Sequence, residues 1–502
     1  MGTGKLILLS GAAVAVLLLA GCSSIVNAHS QKSEMMANYV NGQQKLVLQE
    51  LDHQLRESRW YNSSKEGTGD EVMWRLEAGS MNFIAGNDEK CIRHLERAEQ
   101  LIEDFDERAV VNLREAGAES GALLTNPNAL PYRGWCRDRI MLPVFKAFAY
   151  LGKADESGFQ VELNRLRSNQ DQVMDDYRKF FEEEEKALKR ERSKNRQAAG
   201  SVDMKRMLSR GENRELSGAL AETSKIAHRG FGNFLNPFAI FMSAYGYVRS
   251  GSWQNAIVDY ERLYKAMPDH PSVRQYYVTA LTRTGREIPA DLKSVQPFDF
   301  PLDQQNVLVI FANGRSAALR QIALYIPIII PRYATLVTVA WPVCEFYPAS
   351  RTALTAEAGG RKYQTSVLAD MDGILAAEYD RRLPGMLVRI CLNTAIKEIG
   401  AYAATRAAAG ANEYAGLAVG ISAAAYKAVF NTADTRTWEI LPKEIQVVQF
   451  PVPADRKLIL SPGGGNPLSV QLPETAGSFI VYVNAPGGRQ DSLSYRIFNL
   501  KK

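Results

Sequence analysis

The spacing of apolar residues changes near the middle of this chain of 502 residues. Before residue 290, apolar side chains recur at intervals of three and four, which is the period of amphipathic helices. After 291–305, the pattern becomes short apolar runs such as Val307–Ala312, which are typical of β-strands. The change predicts an α+β multidomain protein: an N-terminal α-solenoid, then a mixed α/β region and a small C-terminal all-β region.

The composition excludes several classes of protein. With 46% hydrophobic and 23% charged residues, the chain resembles ordinary globular proteins, which excludes a disordered or collagen-like chain. The net charge is only +5 over the whole length, and so small a charge argues against nucleic acid as a partner. A chain of this length can bury large hydrophobic cores unaided.

The first residues have the pattern of an export signal. Residues 1–21 contain one Lys and then an apolar run that is short for a membrane span and typical of a signal peptide. The run ends in residues 19–22, LAGC, which resemble the lipobox of bacterial lipoproteins. We therefore predict that the mature chain begins at a lipidated Cys22 and that residues 22–33 form a short polar tether.

The residues after Cys22 bear on where the lipid anchor resides. Two serines follow the Cys, whereas by the sorting rule of Gram-negative lipoproteins an Asp in that place favours the inner membrane. This resemblance implies an anchor in the outer membrane, with the protein facing the periplasm. Two or three acyl chains on Cys22 would hold the protein stably on the bilayer.

One segment of the helical region has the spacing of a tetratricopeptide (TPR) repeat. From Ile240 to Pro268, a small and an aromatic residue precede a Gly turn, and Ala, aromatic, apolar and Pro positions follow it. Segments 72–100 and 140–167 give weaker hairpins of the same kind. We predict a TPR-like helical repeat domain at 34–290, with a mobile connection at 197–215.

Stacked hairpins of this kind form a concave groove that can bind a protein or an extended peptide. The candidate groove residues are Tyr245, Arg249, Trp253 and Asn255, which lie on or beside the best repeat. The alternative is that some of these side chains are buried between helices. The expected partners are the membrane, through the N-terminal lipid, and an envelope protein or peptide in the groove.

The second half of the chain divides into three predicted parts. A linker at 291–305 leads to a mixed α/β domain at 306–435, where Asp372 is expected to cap a helix and Ala- and Gly-rich residues 397–430 to form a helical hairpin. Residues 436–502 form a predicted small β-sandwich-like domain. Its strand candidates are Ile445–Pro451, Lys457–Leu460, Leu468–Leu472, Phe479–Asn484 and Ser494–Phe498.

Four cysteines remain once Cys22 is assigned to lipid. They are Cys91, Cys136, Cys344 and Cys391, and an even number in an oxidising periplasm permits two disulfides. The local pairing would join Cys91 to Cys136 and Cys344 to Cys391. Isolated buried thiols are the alternative that the sequence leaves open.

The sequence contains no recognisable catalytic, metal or cofactor motif. None of its five histidines follows His270, and no phosphate-binding loop, nucleophile elbow or zinc-protease motif is present. Cys136 in RGWCRD suggests a nucleophile, but a structural thiol is favoured because no partner His is evident. We therefore assign no catalytic residue, no metal and no cofactor.

Four further segments, taken in order and together with residues 19–22, resemble a family of bacterial envelope lipoproteins with TPR-like N-terminal halves. The resembling segments are Lys146–Gly152, Val161–Arg167, Val307–Gly314 and Asp434–Pro442. The resemblance implies no catalytic residues. It favours a non-enzymatic adaptor or assembly factor in the cell envelope; the alternatives are a peptidoglycan hydrolase and a structural subunit of a secretion or export assembly.

Overall fold

The computed structural model describes residues 28–56, 64–115, 131–231, 235–411, 432–487, 489 and 492–501. Cys22 and the signal segment lie outside these residues, as does the second part of the Ala- and Gly-rich run. The fold is mixed α+β and 54% helical, with helices in the N-terminal half and most strands in the C-terminal half. Among the described helices, none combines the length and the hydropathy that crossing a membrane requires.

Helices account for the chain up to residue 284, and they pack against their neighbours in sequence. Local signals set their ends: the Asn236 side chain accepts hydrogen bonds at the start of one helix, and Gly285 ends another with a left-handed φ of 68°. The helices are α1 (Ala28–Val40), α2 (Gln44–Gln54), α3 (Glu71–Ile84), α4 (Asp88–Glu115), α5 (Cys136–Gly152), α6 (Glu156–Lys194), α7 (Arg196–Gly200), α8 (Met204–Leu208), α9 (Arg214–Ala227), α10 (Pro237–Arg249), α11 (Trp253–Ala266) and α12 (Pro271–Thr284).

The second half contains eleven described strands and one long helix, α13 (Met371–Ala411). All five C-terminal strand candidates are confirmed to within two residues. The strands are β1 (Asn306–Asn313), β2 (Ala318–Ile330), β3 (Tyr333–Glu345), β4 (Leu354–Ala358), β5 (Arg361–Gln364), β6 (Ser366–Asp370), β7 (Glu444–Pro451), β8 (Lys457–Pro462), β9 (Leu468–Gln471), β10 (Ser478–Ala485) and β11 (Ser494–Leu500).

The central sheet joins the two regions that the sequence predicts to be separate domains. Its order is β11-β10-β1-β7-β6, with β1 parallel to β10 and antiparallel to β7. A second sheet, β5-β4-β8-β9, likewise takes strands from both sides of residue 435. The predicted boundary between 306–435 and 436–502 is therefore wrong, because the sandwich is formed jointly by both segments.

The central sheet is buried on both faces. Leu308 and Ile310 point into the core shared with the helices, whereas Val307 and Val309 point toward the β4-β8 sheet. This alternation follows from the two-residue period of a strand and explains why every residue of β1 is buried. The helices thus form a third layer.

A long hairpin of β2 and β3 forms a separate two-stranded sheet. One face of it packs with α13 and α9 in a third hydrophobic cluster that includes Leu324, Ile326 and Trp341. At the start of α13, the Asp370 carboxylate accepts a hydrogen bond from the Gly373 N–H at 2.9 Å. The expected cap, Asp372, is instead buried and paired with Lys443, so that prediction is wrong by two residues.

Two segments expected to lack regular structure are helical. Residues 28–33 of the predicted tether belong to α1, because Lys32 is fully buried between Glu77 and Glu439. The predicted mobile connection at 197–215 forms short helices that pack on β2, where Ser201 accepts a hydrogen bond from the Ile329 N–H. Both corrections come from tertiary contacts that local composition does not reveal.

Candidate functional site

The four residues of the predicted groove, on α10 and α11, differ in how far they are exposed. Tyr245 is only 1% exposed. Arg249 donates hydrogen bonds to the carbonyl oxygens of Asp303 and Lys501. Trp253 is half-buried beneath Arg283, and Asn255 alone of the four is exposed. The four residues therefore do not form one open binding surface, and the alternative of burial holds for Tyr245.

A cleft of about 370 Å³ lies elsewhere, between α6, the outer edge of β3 and α13. The loop before α5 and the segment before β7 complete its walls. This volume lies at the lower end of the range for small-ligand pockets. The lining combines cations, aromatic rings and aliphatic side chains: Pro131, Tyr132, Arg133, Gly134, Trp135, Arg139, Asp176, Tyr177, Phe180, Glu184, Leu319, Val337, Thr338, Val339, Ala340, Trp341, Pro342, Arg382, Met386, Arg389, Ile390, Asn393, Thr394, Lys397, Glu398, Thr432, Ala433, Asp434 and Arg436.

One face of α13 supplies a stripe of cations to this cleft. Arg382, Arg389 and Lys397 lie on the cleft wall with Met386 and Ile390 between them, at spacings that keep all five on one side of a helix. Burial lowers the pKa of the Lys397 ammonium. The Nε atoms of Arg382 and Arg389 are buried and have no hydrogen-bond partner among the described residues. Both guanidinium groups are ion-paired, Arg382 with Glu378 and Arg389 with Glu184.

Aromatic rings hold the arginines of the opposite wall in place. The guanidinium carbon of Arg139 lies 5.9 Å from the centre of the Tyr177 ring, and Nη2 donates to Asp106 at 2.6 Å. Arg133 lies over the Phe180 ring, 5.6 Å from its centre. Both guanidinium groups are also ion-paired with the Asp106 carboxylate, so the rings and this carboxylate together fix their orientation.

The RGWCRD segment, residues 133–138, is a structural junction at the edge of this cleft. Arg137 is fully buried and donates to carbonyl oxygens of Ala317 and Trp438. The Cys136 N–H donates to Glu378 at 2.8 Å, and burial raises the pKa of the Cys136 thiol well above its usual range. A thiol that stays protonated is a poor nucleophile, which supports the structural interpretation of Cys136.

All four remaining cysteines are free thiols in buried surroundings. Neither expected pair is bonded: Cys136 lies beside Glu378, and Cys391 lies 3.7 Å from the sulfur of Met207. Burial raises the pKa of Cys344 and of Cys391 to about 12. Of the two alternatives left open by the sequence, the structure has isolated buried thiols.

The cleft carries carboxylates, and three of them have identified partners. Glu184 pairs with Arg389, Asp434 pairs with Arg436 at 2.8 Å, and Glu398 accepts a hydrogen bond from the Tyr333 hydroxyl. Burial would raise the pKa of Asp434, but the Arg436 charge lowers it below its usual value. Among the described lining residues there is no Ser, Cys or His, and no described cluster of acidic, His or Cys side chains could hold a metal ion.

Sequence reasoning missed this cleft, although one signal for it is present. The cations of α13 recur after seven and eight residues with apolar residues between them, which is the pattern of one helix face. The other walls come from distant segments that no local pattern connects. Searches against protein-family models, curated proteins and solved structures found no match to this chain.

Proposed function

We propose that the protein is a lipid-anchored component of the cell envelope that acts by binding a partner, as an adaptor or assembly factor. In this proposal, Cys22 carries the lipid and holds the protein on the outer membrane, facing the periplasm. The TPR-like hairpins act as a scaffold. The cleft between α6, β3 and α13 is the binding site.

The observation that carries the proposal is the excess of positive charge in the cleft. Six basic and four acidic side chains are among the described lining residues, and Met386 and Ile390 lie between the basic side chains of α13, so the cleft favours an acidic partner that also has apolar groups. Of the residues first expected to bind a partner, Tyr245 is buried and Arg249 bonds to the Lys501 carbonyl of the same chain. We therefore place the partner in the cleft.

Binding is favoured over hydrolysis by the chemistry of the lining. A hydrolase needs a nucleophile beside a base, or two carboxylates of which one is held protonated. Glu184 and Asp434 are instead paired with arginines, and the charge of Arg436 favours the ionised form of Asp434. These contacts support recognition of charge and offer no evident acid catalyst.

Affinity capture from detergent-extracted envelopes tests this proposal. The lipidated wild type is compared with Thr338→Trp, which fills the cleft from an exposed edge position, and with Asn255→Ala, which changes the predicted groove. A partner that Asn255→Ala still captures and Thr338→Trp does not would support the cleft as the binding site. A partner lost only by Asn255→Ala would contradict it, and Cys22→Ala shows separately whether capture depends on the anchor.

A further inference from the structure

The two outer edges of the β2–β3 hairpin differ in whether other segments of the fold form hydrogen bonds with them. On the β2 edge, the Tyr325 N–H donates to the Asn213 side chain at 2.9 Å, and the Ile329 N–H donates to the Ser201 carbonyl at 3.0 Å. Pro327 lies between them and has no N–H to offer. The β2 edge is therefore closed to another strand.

The β3 edge opens into the cleft. Thr338 is opposite Tyr325 in the register of the hairpin. Because the Tyr325 N–H points away from β3, this is a pair without mutual hydrogen bonds, and the N–H and C=O of Thr338 also point away from the hairpin. By the same alternation, the N–H and C=O of Leu336 point away from the hairpin. In the described part of the chain, these outward groups of Thr338 and Leu336 have no hydrogen-bond partner. Thr338 also lines the cleft.

This edge also lacks the charges that usually protect an exposed strand. From Tyr333 to Cys344 there is no Asp, Glu, Lys or Arg. Natural sheets block free edges with charged residues, prolines or covering segments, since an uncharged edge pairs readily with another chain. The charges in this place lie across the cleft, on α13.

Strand β3 and helix α13 run side by side. The Tyr333 and Tyr402 rings stack at 4.2 Å, and the Trp341 indole N–H donates to the Tyr379 hydroxyl at 3.0 Å. The cations of α13 therefore lie along the length of β3. Arg389 and Lys397 are eight residues apart, which is about 12 Å along a helix. Residues i and i+4 of an extended chain are about 13 Å apart on one face.

We propose that β3 receives an extended acidic peptide of an envelope partner as a third strand. The backbone of the peptide would pair with the outward N–H and C=O of Thr338 and Leu336. Two acidic side chains four residues apart, on the face of the peptide toward α13, would meet Arg389 and Lys397, and the first of these acids would share Arg389 with Glu184. This inference rests on the proposed function and names the class of partner.

A short labelled peptide tests the inference by fluorescence anisotropy on the purified protein. The probe is acetyl-Glu-Val-Thr-Val-Glu-Val-amide, which carries its acids four residues apart. The controls place the acids two residues apart, replace both with Lys, or methylate the backbone nitrogens that face β3. We expect each control to bind about tenfold or more weakly than the probe. Equal binding of the N-methylated peptide would exclude strand pairing and overturn the inference.

Two substitutions at one position separate the edge from the rest of the cleft. Thr338→Pro removes the outward N–H and leaves the hydrogen bonds between β2 and β3 in place, whereas Thr338→Val keeps the N–H. We expect Thr338→Pro to bind the probe at least tenfold more weakly than the wild type, and Thr338→Val to bind it about as tightly. Equal loss in both variants would contradict strand pairing. The circular dichroism spectrum shows whether each variant is folded.

Palmitate, an acid with an aliphatic tail, distinguishes failure of the inference from failure of the proposed function. If palmitate binds in the cleft and the probe does not, the site is a binding site and the peptide class is wrong. If neither ligand binds and Arg389→Gln leaves capture of the partner from envelopes unchanged, the cleft is not the binding site. If the protein dimerises with rising concentration and Thr338→Pro abolishes the dimer, a second copy occupies the edge and the peptide inference is overturned.

Discussion

The guanidinium of Arg382 lies over the indole ring of Trp135, with its central carbon 4.4 Å from the ring centre. The same guanidinium is 2.5 Å from the fully buried carboxylate of Glu378. One side chain thus joins α13 to the loop before α5 and fixes the width of the cleft at one end. Burial would lower the pKa of Arg382, but Glu378 raises it, so this arginine stays charged.

Replacing Arg382 with Met should destabilise the fold by about 3 kcal/mol, because a buried carboxylate loses its counter-charge. Chemical denaturation monitored by circular dichroism measures the free energy of unfolding. A second change, Glu378→Gln, should recover part of the loss, since it removes the unpaired charge. If Arg382→Met is as stable as the wild type, this pair does not hold α13 in place.

The ion pairs of α1 predict a specific response to acid. Burial would raise the pKa of Glu439, but the Lys32 ammonium, 2.9 Å away, lowers it to about 2. An acid whose pKa is lowered by folding stabilises the folded state above its unfolded pKa, about 4.3, and this contribution is lost as pH falls toward 2. We expect the wild type to lose about 3 kcal/mol more than Glu439→Gln over that range.

Acid denaturation of the two proteins, followed by the free energy of unfolding at each pH, measures this difference. The matched control is Glu89→Gln, which changes an exposed carboxylate. It should leave the pH dependence of the wild type unchanged. Parallel curves for the wild type and Glu439→Gln would contradict the buried pairing of Lys32 with Glu439.

Two glycines of α13 should respond in opposite directions to alanine. A Cβ at Gly373 would lie 2.8 Å from the Gly230 nitrogen and 2.9 Å from the carbonyl carbon of Arg229, so the backbones would have to separate. We expect Gly373→Ala to cost about 1–3 kcal/mol. A Cβ at Gly400 meets no atom within 4 Å, and Gly400→Ala should stabilise the helix by about 0.5–1 kcal/mol. Thermal unfolding compares the two variants.

The free state of Cys91, Cys136, Cys344 and Cys391 is tested by alkylation and mass spectrometry. Iodoacetamide should label all four in unfolded protein that has not been reduced. In the folded protein it should label none, because the thiols are buried and burial raises their pKa. If two of these cysteines in the unfolded protein are labelled only after reduction, they form a disulfide.

Sequence patterns predicted the elements of this fold better than their assembly. The hairpin from Ile240 to Pro268 and the five C-terminal strands were identified because their residues follow a local period. The central sheet was not, because Val307 of β1 is opposite Phe479 of β10, far away in the chain. Pairing at that distance depends on the whole fold and leaves no local pattern.

The cleft was missed for the same physical reason. The periodic cations of α13 can be recognised in the sequence, but they form the wall of a cleft only because β3 lies beside α13 in the fold. The groove on α10 and α11 was predicted from helix spacing alone, which cannot show that Arg249 donates a hydrogen bond to the Lys501 carbonyl. Spacing identifies which side of a helix is apolar, and tertiary contacts decide what covers it.

Site-specific photo-crosslinking tests whether the cleft binds the partner. A photoreactive residue replaces Met386 on the cleft wall or, as a control, the exposed Val258 of α11, in lipidated protein within its own envelope. Mass spectrometry then identifies any adduct. We expect a reproducible adduct from position 386 that Thr338→Trp removes, and none from position 258. Adducts from position 258 alone would place the binding site on α10 and α11 and contradict binding in the cleft.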